Sequence, residues 1–278
     1  MTKLLIDSYN LIHRSRFNWG GGLAAEKNQI VYNFFKSLKP ILDNFSPERV
    51  YFILDGKPKK RLEMDSEYKA NRKIVDPTDE EAAYWASFHS QKRVIIDSVK
   101  EFFPFTTAYH PDYECDDILN YLAVTLYGDK TIISSDTDFI QTLDLSDKVY
   151  LWNPIEKSYR TRMDVDYTSY KSLVGDKTDN IPGVKGVGKV GAVKMLKDKS
   201  IFNKKMQNKS FADEYNHSYN LVKFADLSKE TDQILFYKGT LDRDKIFNLF
   251  ETLELESMTK DKYFNSFIST LENINMES

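Results

Sequence analysis

Three short apolar runs in this chain each deliver an aspartate to their C-terminal end. Residues 130–139 read KTIISSDTDF, where Thr131, Ile132 and Ile133 suit a buried strand and Asp136 and Asp138 follow at its tip. Residues 3–6 lead into Asp7, and residues 49–54 (RVYFIL) lead into Asp55-Gly56. In an open α/β sheet the ligand crevice lies at the carboxyl ends of the strands, so acids placed there are poised to hold a cation. Taken alone, Ser-Asp-Thr-Asp also suits a strand exit or a helix cap. An aspartate at the end of all three runs argues for one shared site.

A fourth acidic group, Glu114, Asp116 and Asp117, opens a predicted helix whose apolar positions Ile118, Leu119, Leu122, Val124 and Leu126 follow a helical pattern. Part of this group also suits the helix macrodipole. Carboxylates crowded at one mouth repel one another and raise their own pKa values unless cations neutralise them. Oxygen-only donors point to a hard ion, Mg²⁺ or Mn²⁺. The four histidines (His13, His89, His110, His217) and the single cysteine have no zinc-like spacing. Phosphodiester hydrolysis is the natural task of such a site.

The net charge of −3 looks wrong for a nucleic-acid binder until the charges are mapped. Residues 57–73 carry seven Lys/Arg against three Asp/Glu, and residues 177–199 carry six against two. Each segment lies close in sequence to candidate metal carboxylates, although charged faces are common on ordinary surface helices. No apolar run approaches the roughly 20 residues of a membrane span, and the start lacks the order of a signal peptide, so a cytoplasmic protein with no membrane partner is expected. Cys115 has no partner for an internal disulfide and is expected to pack as a small apolar side chain at the helix root.

The alternation of strands and helices up to about residue 165 predicts an α/β core with a mostly parallel central sheet flanked by helices, and residues 166–278 read as a helical subdomain. Residues 148–154 and 158–162 read as a hairpin. Arg14, just after the first strand, is a candidate phosphate contact, or equally a surface cation. Trp19-Gly20-Gly21-Gly22 is expected to be a flexible loop, and residues 24–42 a core helix. Pro77-Thr78-Asp79-Glu80 reads as a helix start within residues 74–99, which fit either a lid over the acidic mouth or an ordinary crossover helix. Gly183, Gly186 and Gly188 surround Lys185 and precede Lys189 in a turn that can aim backbone N–H groups at a phosphate. Asp176 and Asp179 lie three apart, so a helical turn puts both on one face. Residues 200–278 carry no catalytic motif.

Four stretches make the chain resemble a known family: LLIDSYNLIHR near the start, EYKANR at residues 67–72, YECDDI at 113–118 and GDKTDNIPGVKGVGKVGAVKML at 175–196. The chain resembles the flap endonuclease and 5′–3′ exonuclease family, which includes the 5′-nuclease domain of bacterial DNA polymerase I and the ribonuclease H of T-even phages. The resemblance implies a PIN-like 5′-nuclease fold. It implies that residues 175–196 form a helix–three-turn–helix that grips duplex DNA through its backbone, commonly with a K⁺ ion. It matches Asp7, Asp55, Glu114, Asp116, Asp117, Asp136, Asp138, Asp176 and Asp179 to the family's metal-binding acids, and Lys69 and Arg72 to its cations over the scissile phosphate. Residues 74–99 occupy the place of the arch or bridge. Cys115 stands where the family usually has Ala, and the arch region is less basic than in several relatives. A stand-alone enzyme with no polymerase domain is expected, of the short form typical of phage-encoded members, which would act in the host cytoplasm.

The expected activity is therefore structure-specific 5′ nuclease cleavage, exonucleolytic and at flaps. The substrates the resemblance implies are branched or nicked duplex DNA and RNA/DNA hybrid at primers. Two Mg²⁺ ions, about 4 Å apart in the usual arrangement, would activate water and stabilise the leaving oxygen. Asp7, Asp55, Glu114, Asp116 and Asp136 are expected around the first ion, and Asp117, Asp138, Asp176 and Asp179 around the second, directly or through water. Asp136, Lys69 and Arg72 are the expected catalytic groups. A monomer is expected, with a single-strand-binding protein or a sliding clamp as candidate partners. A non-catalytic binder of branched DNA would not need the full acid set. A PIN-type endoribonuclease would not need the duplex-gripping turn.

Overall fold

The computed structural model describes residues 2–17, 27–72 and 77–274. Strand β1 (Thr2–Asp7) runs into α1 (Ser8–Arg14), followed by α2 (Gln29–Phe45), β2 (Arg49–Ile53), α3 (Lys59–Met64), α4 (Asp79–Phe102), β3 (Thr106–Tyr109), α5 (Cys115–Thr125) and β4 (Asp129–Ile133). Then come α6 (Ile140–Leu143), β5 (Val149–Asn153), β6 (Ser158–Arg160), α7 (Tyr167–Val174), α8 (Lys189–Lys197), α9 (Lys199–Met206) and α10 (Lys209–Val222). The chain closes with β7 (Leu235–Lys238), α11 (Arg243–Thr252), α12 (Glu256–Thr259) and α13 (Asp261–Glu272).

All seven strands form one sheet in the order β6-β5-β4-β1-β2-β3-β7. The inner five are parallel, and β6 and β7 close the two edges antiparallel. β1 lies at the centre. Leu4 and Ile6 enter the core shared with α2 and α4, while Leu5 enters the opposite core with α5. A strand covered on both faces needs an unbroken apolar run, which is why KLLI does not alternate. The register pairs Asp7 with Ile53 and Ile6 with Ile133, so the tips of β1, β2 and β4 line up along one edge.

The core beneath α2 and α4 is aromatic, with Phe35 stacked on Phe103 at 5.2 Å between ring centroids. A smaller apolar cluster of Leu173, Val184, Ala192, Met195 and Tyr215 joins α7, α8 and α10. The packing divides residues 166–278 rather than treating them as one helical unit. β7 pairs with β3, and Ile246, Phe250, Phe264 and Phe267 of α11 and α13 complete the core of α2 and α4. Composition could not show this division. An amphipathic stripe says that a helix packs, not against what, and β7 is an edge strand with Leu235 and Phe236 exposed.

At the start of α4, Thr78 Oγ1 accepts from Glu81 N at 3.2 Å and Glu81 Oε2 accepts from Thr78 N at 2.9 Å, a capping box at the helix start expected here. The helix continues unbroken to Phe102, with Ile95 and Val99 in the core and its first turn exposed. Arg16 ties the exposed half down, its guanidinium 4.2 Å from the Trp85 ring centroid and its Nε donating to Tyr84 Oη at 3.2 Å. The expected loop at Trp19 to Gly22, the first residues of the helix expected over 24–42, and residues 74–76 of the expected arch lie outside the described residues. Among the described residues no helix is long and apolar enough to cross a membrane.

Candidate active site

The acids gather where the strand register puts them. Asp7 ends β1 and caps α1, accepting from Asn10 N at 3.0 Å, and its other oxygen accepts from Ser134 Oγ at 2.8 Å. Asp55 follows β2 and accepts from Cys115 N at 2.9 Å, which docks the start of α5 against the tip of β2. That close approach requires Gly56, since a Cβ there would meet the His110 carbonyl oxygen at 2.0 Å. Cys115 is buried with its thiol 3.4 Å from Ile53 O and 3.7 Å from Asp7 Oδ1, and burial pushes that thiol well above its usual pKa. It packs as a small apolar group, as expected.

Asp7, Cys115 and Asp116 bring ligand atoms within 4.8 Å of one another, and so do Asp138, Asp176 and Asp179. Burial pushes Asp7 up to about 6, and neighbouring Asp136 and Asp55 add to the rise. Burial likewise pushes Asp55 up to about 6 and Asp116 well above the usual carboxylate range. Asp138 also rises to about 6 through burial and Asp136, against the pull of Lys171. Burial is the largest cause of each rise and neighbouring carboxylates add to it, so a divalent ion held by these carboxylate oxygens would offset both. Asp136 caps the turn at Thr137–Phe139, accepting from Asp138 N at 2.8 Å.

Glu114 and Asp117 have a different environment. Arg61 forks onto Asp117 with Nη1 at 2.7 Å and Nη2 at 2.8 Å, and Nη1 also reaches Glu114 Oε2 at 3.0 Å. Ala225 N adds a third donor to Asp117, at 2.8 Å. Both Asp117 oxygens are thus taken and the residue is fully buried, at a position where the sequence leads us to expect a ligand of the second ion. It anchors Arg61.

Lys69 and Arg72 reach the acids because their segment is zipped to residues 176–180. Lys69 N donates to Asp179 O at 3.0 Å, Asn71 Nδ2 to Lys177 O at 2.7 Å and Asn180 Nδ2 to Glu67 O at 2.8 Å. Lys69 Nζ then pairs with Glu114 and lies 3.5 Å from Asp179 Oδ2, while Arg72 pairs with Asp179 Oδ1. Tyr68 Oη donates to Glu114 Oε2 at 3.0 Å. Lys171 of α7, which sequence reasoning did not single out, bridges Asp138 and Asp176. Burial raises Asp176, but Lys171 and the N–H groups of Thr178 and Asp179 outweigh it and hold the carboxyl below its usual range.

The loop between α7 and α8 folds back on itself through Asp176 N to Ile181 O at 2.9 Å and Ile181 N to Asp176 O at 2.8 Å. Gly183, at φ +69°, lies so close to Gly175 that a Cβ would meet its nitrogen at 2.5 Å. By contrast, a Cβ at Gly186 or Gly188 would meet nothing within 4 Å, and Lys185 and Lys189 are exposed beside them. Arg14 is the last residue of α1, the helix that Asp7 caps. It is half-buried in a cavity of about 410 Å³ with Trp152 and Lys157, no carboxylate pairs with it among the described residues, and burial lowers its pKa.

Comparison with known proteins follows the same outline. Residues 2–172 match the family model described as 5′–3′ exonuclease, N-terminal resolvase-like domain. The chain is 31% identical over 210 residues to a thermostable DNA polymerase I of Thermus thermophilus, covering 70% of this chain but 24% of that protein. It therefore spans about a quarter of the length of such polymerases. It is also 28% identical to a 5′–3′ exonuclease of Aquifex aeolicus, covering 95% of this chain and 96% of that one. Among solved structures, the T5 5′-exonuclease with bound zinc superposes with a TM-score of 0.63 at 21% identity, over 99% of both chains. The catalytic core of Rad2 in complex with DNA substrate gives 0.52 at 16% identity, over 96% of this chain and 92% of that one.

Proposed function

Because this chain belongs to the 5′–3′ exonuclease family, we propose that it is a Mg²⁺-dependent, structure-specific 5′ nuclease that cuts 5′ flaps and removes RNA primers from duplex DNA. The observation that carries this reading is the pool of buried, raised carboxylates at the tips of parallel strands, with Lys69 and Arg72 fixed at its rim. Asp7, Asp55, Glu114, Asp116 and Asp136 would hold one ion, and Asp138, Asp176 and Asp179 the other. Divalent ions there supply a Lewis acid for the phosphoryl oxygens and lower the pKa of a water nucleophile.

The chain's own residues do the rest. Asp7 is held in one orientation by Ser134 and Asn10, and Asp55 by Cys115 N, so these donors are preorganised. Lys69 and Arg72 offset charge developing on the scissile phosphate. The open backbone at Gly186 and Gly188, with Lys185 and Lys189, fits a duplex phosphate chain, and a K⁺ ion is the expected companion of that loop. We read α4, held at Tyr84 and Trp85 by Arg16, as the arch.

The test is cleavage in Mg²⁺ of a 5′-labelled flap duplex beside a single-stranded RNA of the same sequence as the flap. Cutting near the junction of the duplex supports the reading. Cutting of the free RNA alone would favour a PIN-type endoribonuclease.

A further inference from the structure

The two acid sets at the cleft differ in how their charge is met. In the first, Glu114 at the rim is paired with Arg61 and Lys69, but the inner acid Asp7 receives only neutral donors: Asn10 N–H, the Ser134 hydroxyl and the Cys115 thiol. Asp116 makes no ion pair among the described residues. In the second, every carboxylate has a cation. Lys171 Nζ bridges Asp138 Oδ1 and Asp176 Oδ2, the latter at 2.7 Å, while Lys69 and Arg72 attend Asp179. The Lys171 side chain is 13% exposed, so it is built into the set rather than laid over it. Tyr167, one turn earlier on the same helix, donates to Asp138 Oδ1 at 3.1 Å and lies beside the same oxygen.

We propose that the Lys171 ammonium is the resident counter-ion of Asp138 and Asp176, and that a divalent ion must displace it to enter the second set. Lys171 thereby sets the ion concentration at which that set fills. The inference rests on the metal-nuclease reading above. Its physical ground is that Lys171 Nζ already sits between Asp138 and Asp176, and that these two acids and Asp179 each bring a ligand atom within 4.8 Å of the others. An ammonium and a divalent ion held by the same two carboxylates would repel at short range in a site of low effective dielectric. Lysine suits the part, since its point charge on a four-carbon stem can swing out to solvent as a unit. Lys69 and Arg72 stay apart from this exchange, because Lys69 is shared with Glu114 and both are fixed by the backbone zipper to residues 176–180.

The test is Mn²⁺ binding to the full chain without DNA, near neutral pH, followed by the electron paramagnetic resonance signal of free Mn²⁺. Native protein, Lys171→Met, Lys171→Gln and Lys171→Arg are compared, with circular dichroism as a check on folding. The expected result is two ions per chain in all four, the weaker constant tighter by about tenfold or more in Lys171→Met and Lys171→Gln, and near native in Lys171→Arg. A weaker constant that is unchanged or further weakened in the Met and Gln variants would overturn the inference and make Lys171 a positioning residue. Native protein that binds no Mn²⁺ at millimolar concentration would overturn the metal-nuclease reading itself, and the inference with it.

Discussion

Arg61 holds Asp117 by both carboxylate oxygens, at 2.7 and 2.8 Å, and the same guanidinium reaches Glu114. The pair is almost wholly buried, with side-chain exposures of 8% and 0%. Arg61 also donates to the Leu221 and Lys223 carbonyls, so it joins α3 to the root of α5 and the end of α10. Removing one member of such a pair strands the other charge, at a cost of about 3–5 kcal/mol. Asp117→Asn is expected to lower the unfolding free energy from urea titration by an amount of that order while leaving Mn²⁺ stoichiometry at two. Loss of an ion with stability intact would return Asp117 to the ligand role the sequence suggested.

The raised carboxylates make ion binding and stability depend on pH together. Asp7, Asp55 and Asp138 move from their usual 3.8 to about 6 on folding. Between those values the folded chain keeps protons that the unfolded chain has lost. Stability of the metal-free protein therefore falls as pH rises through this window and levels above it. Divalent ions bind only the deprotonated acids, so the gain in Tm from millimolar Mg²⁺ is expected to be small at about pH 5 and full at about pH 8. Thermal unfolding with and without Mg²⁺ at the two pH values checks this. Equal gains would contradict it.

Two glycines of the α7–α8 loop separate folding from binding. Gly183→Ala forces a Cβ to 2.5 Å from Gly175 N at positive φ, so it is expected to disorder the loop and lower Tm. Gly188→Ala meets nothing within 4 Å and has an ordinary negative φ, so Tm should stay within the scatter of native. If a duplex backbone approaches there, Gly188→Ala weakens duplex affinity several-fold at fixed salt. Electrophoretic binding assays read the difference, and native affinity in Gly188→Ala would contradict the contact.

The sheet and its acidic edge were legible because a central parallel strand leaves a dense signature, as KLLI-Asp and TII-SSD-T-D show. The helix start at Thr78 was legible from equally local signals. Arg61, Tyr68, Ser134 and Lys171 were not, because their roles depend on contacts across long stretches of chain. Lys171 is one of 39 Lys and Arg residues, and nothing near it in sequence marks it as the one facing Asp138. Asp117 misled for a related reason. Its place beside Asp116 is a matter of sequence, but one step along a helix turns a side chain about 100° toward a different partner, here Arg61.

The most direct test of the account is Asp116. It has no hydrogen-bond or ion-pair partner among the described residues, so Asp116→Asn removes charge from the first acid set with little structural cost. The measurement is single-turnover cleavage of a 5′-labelled flap substrate in Mg²⁺ by native protein and Asp116→Asn, with flap binding measured in parallel. The account predicts junction cleavage by the native chain, slowed by about a hundredfold or more in the variant while binding persists. A native chain that binds the flap but does not cut it in Mg²⁺ or Mn²⁺ would contradict the account and leave a binder of branched DNA.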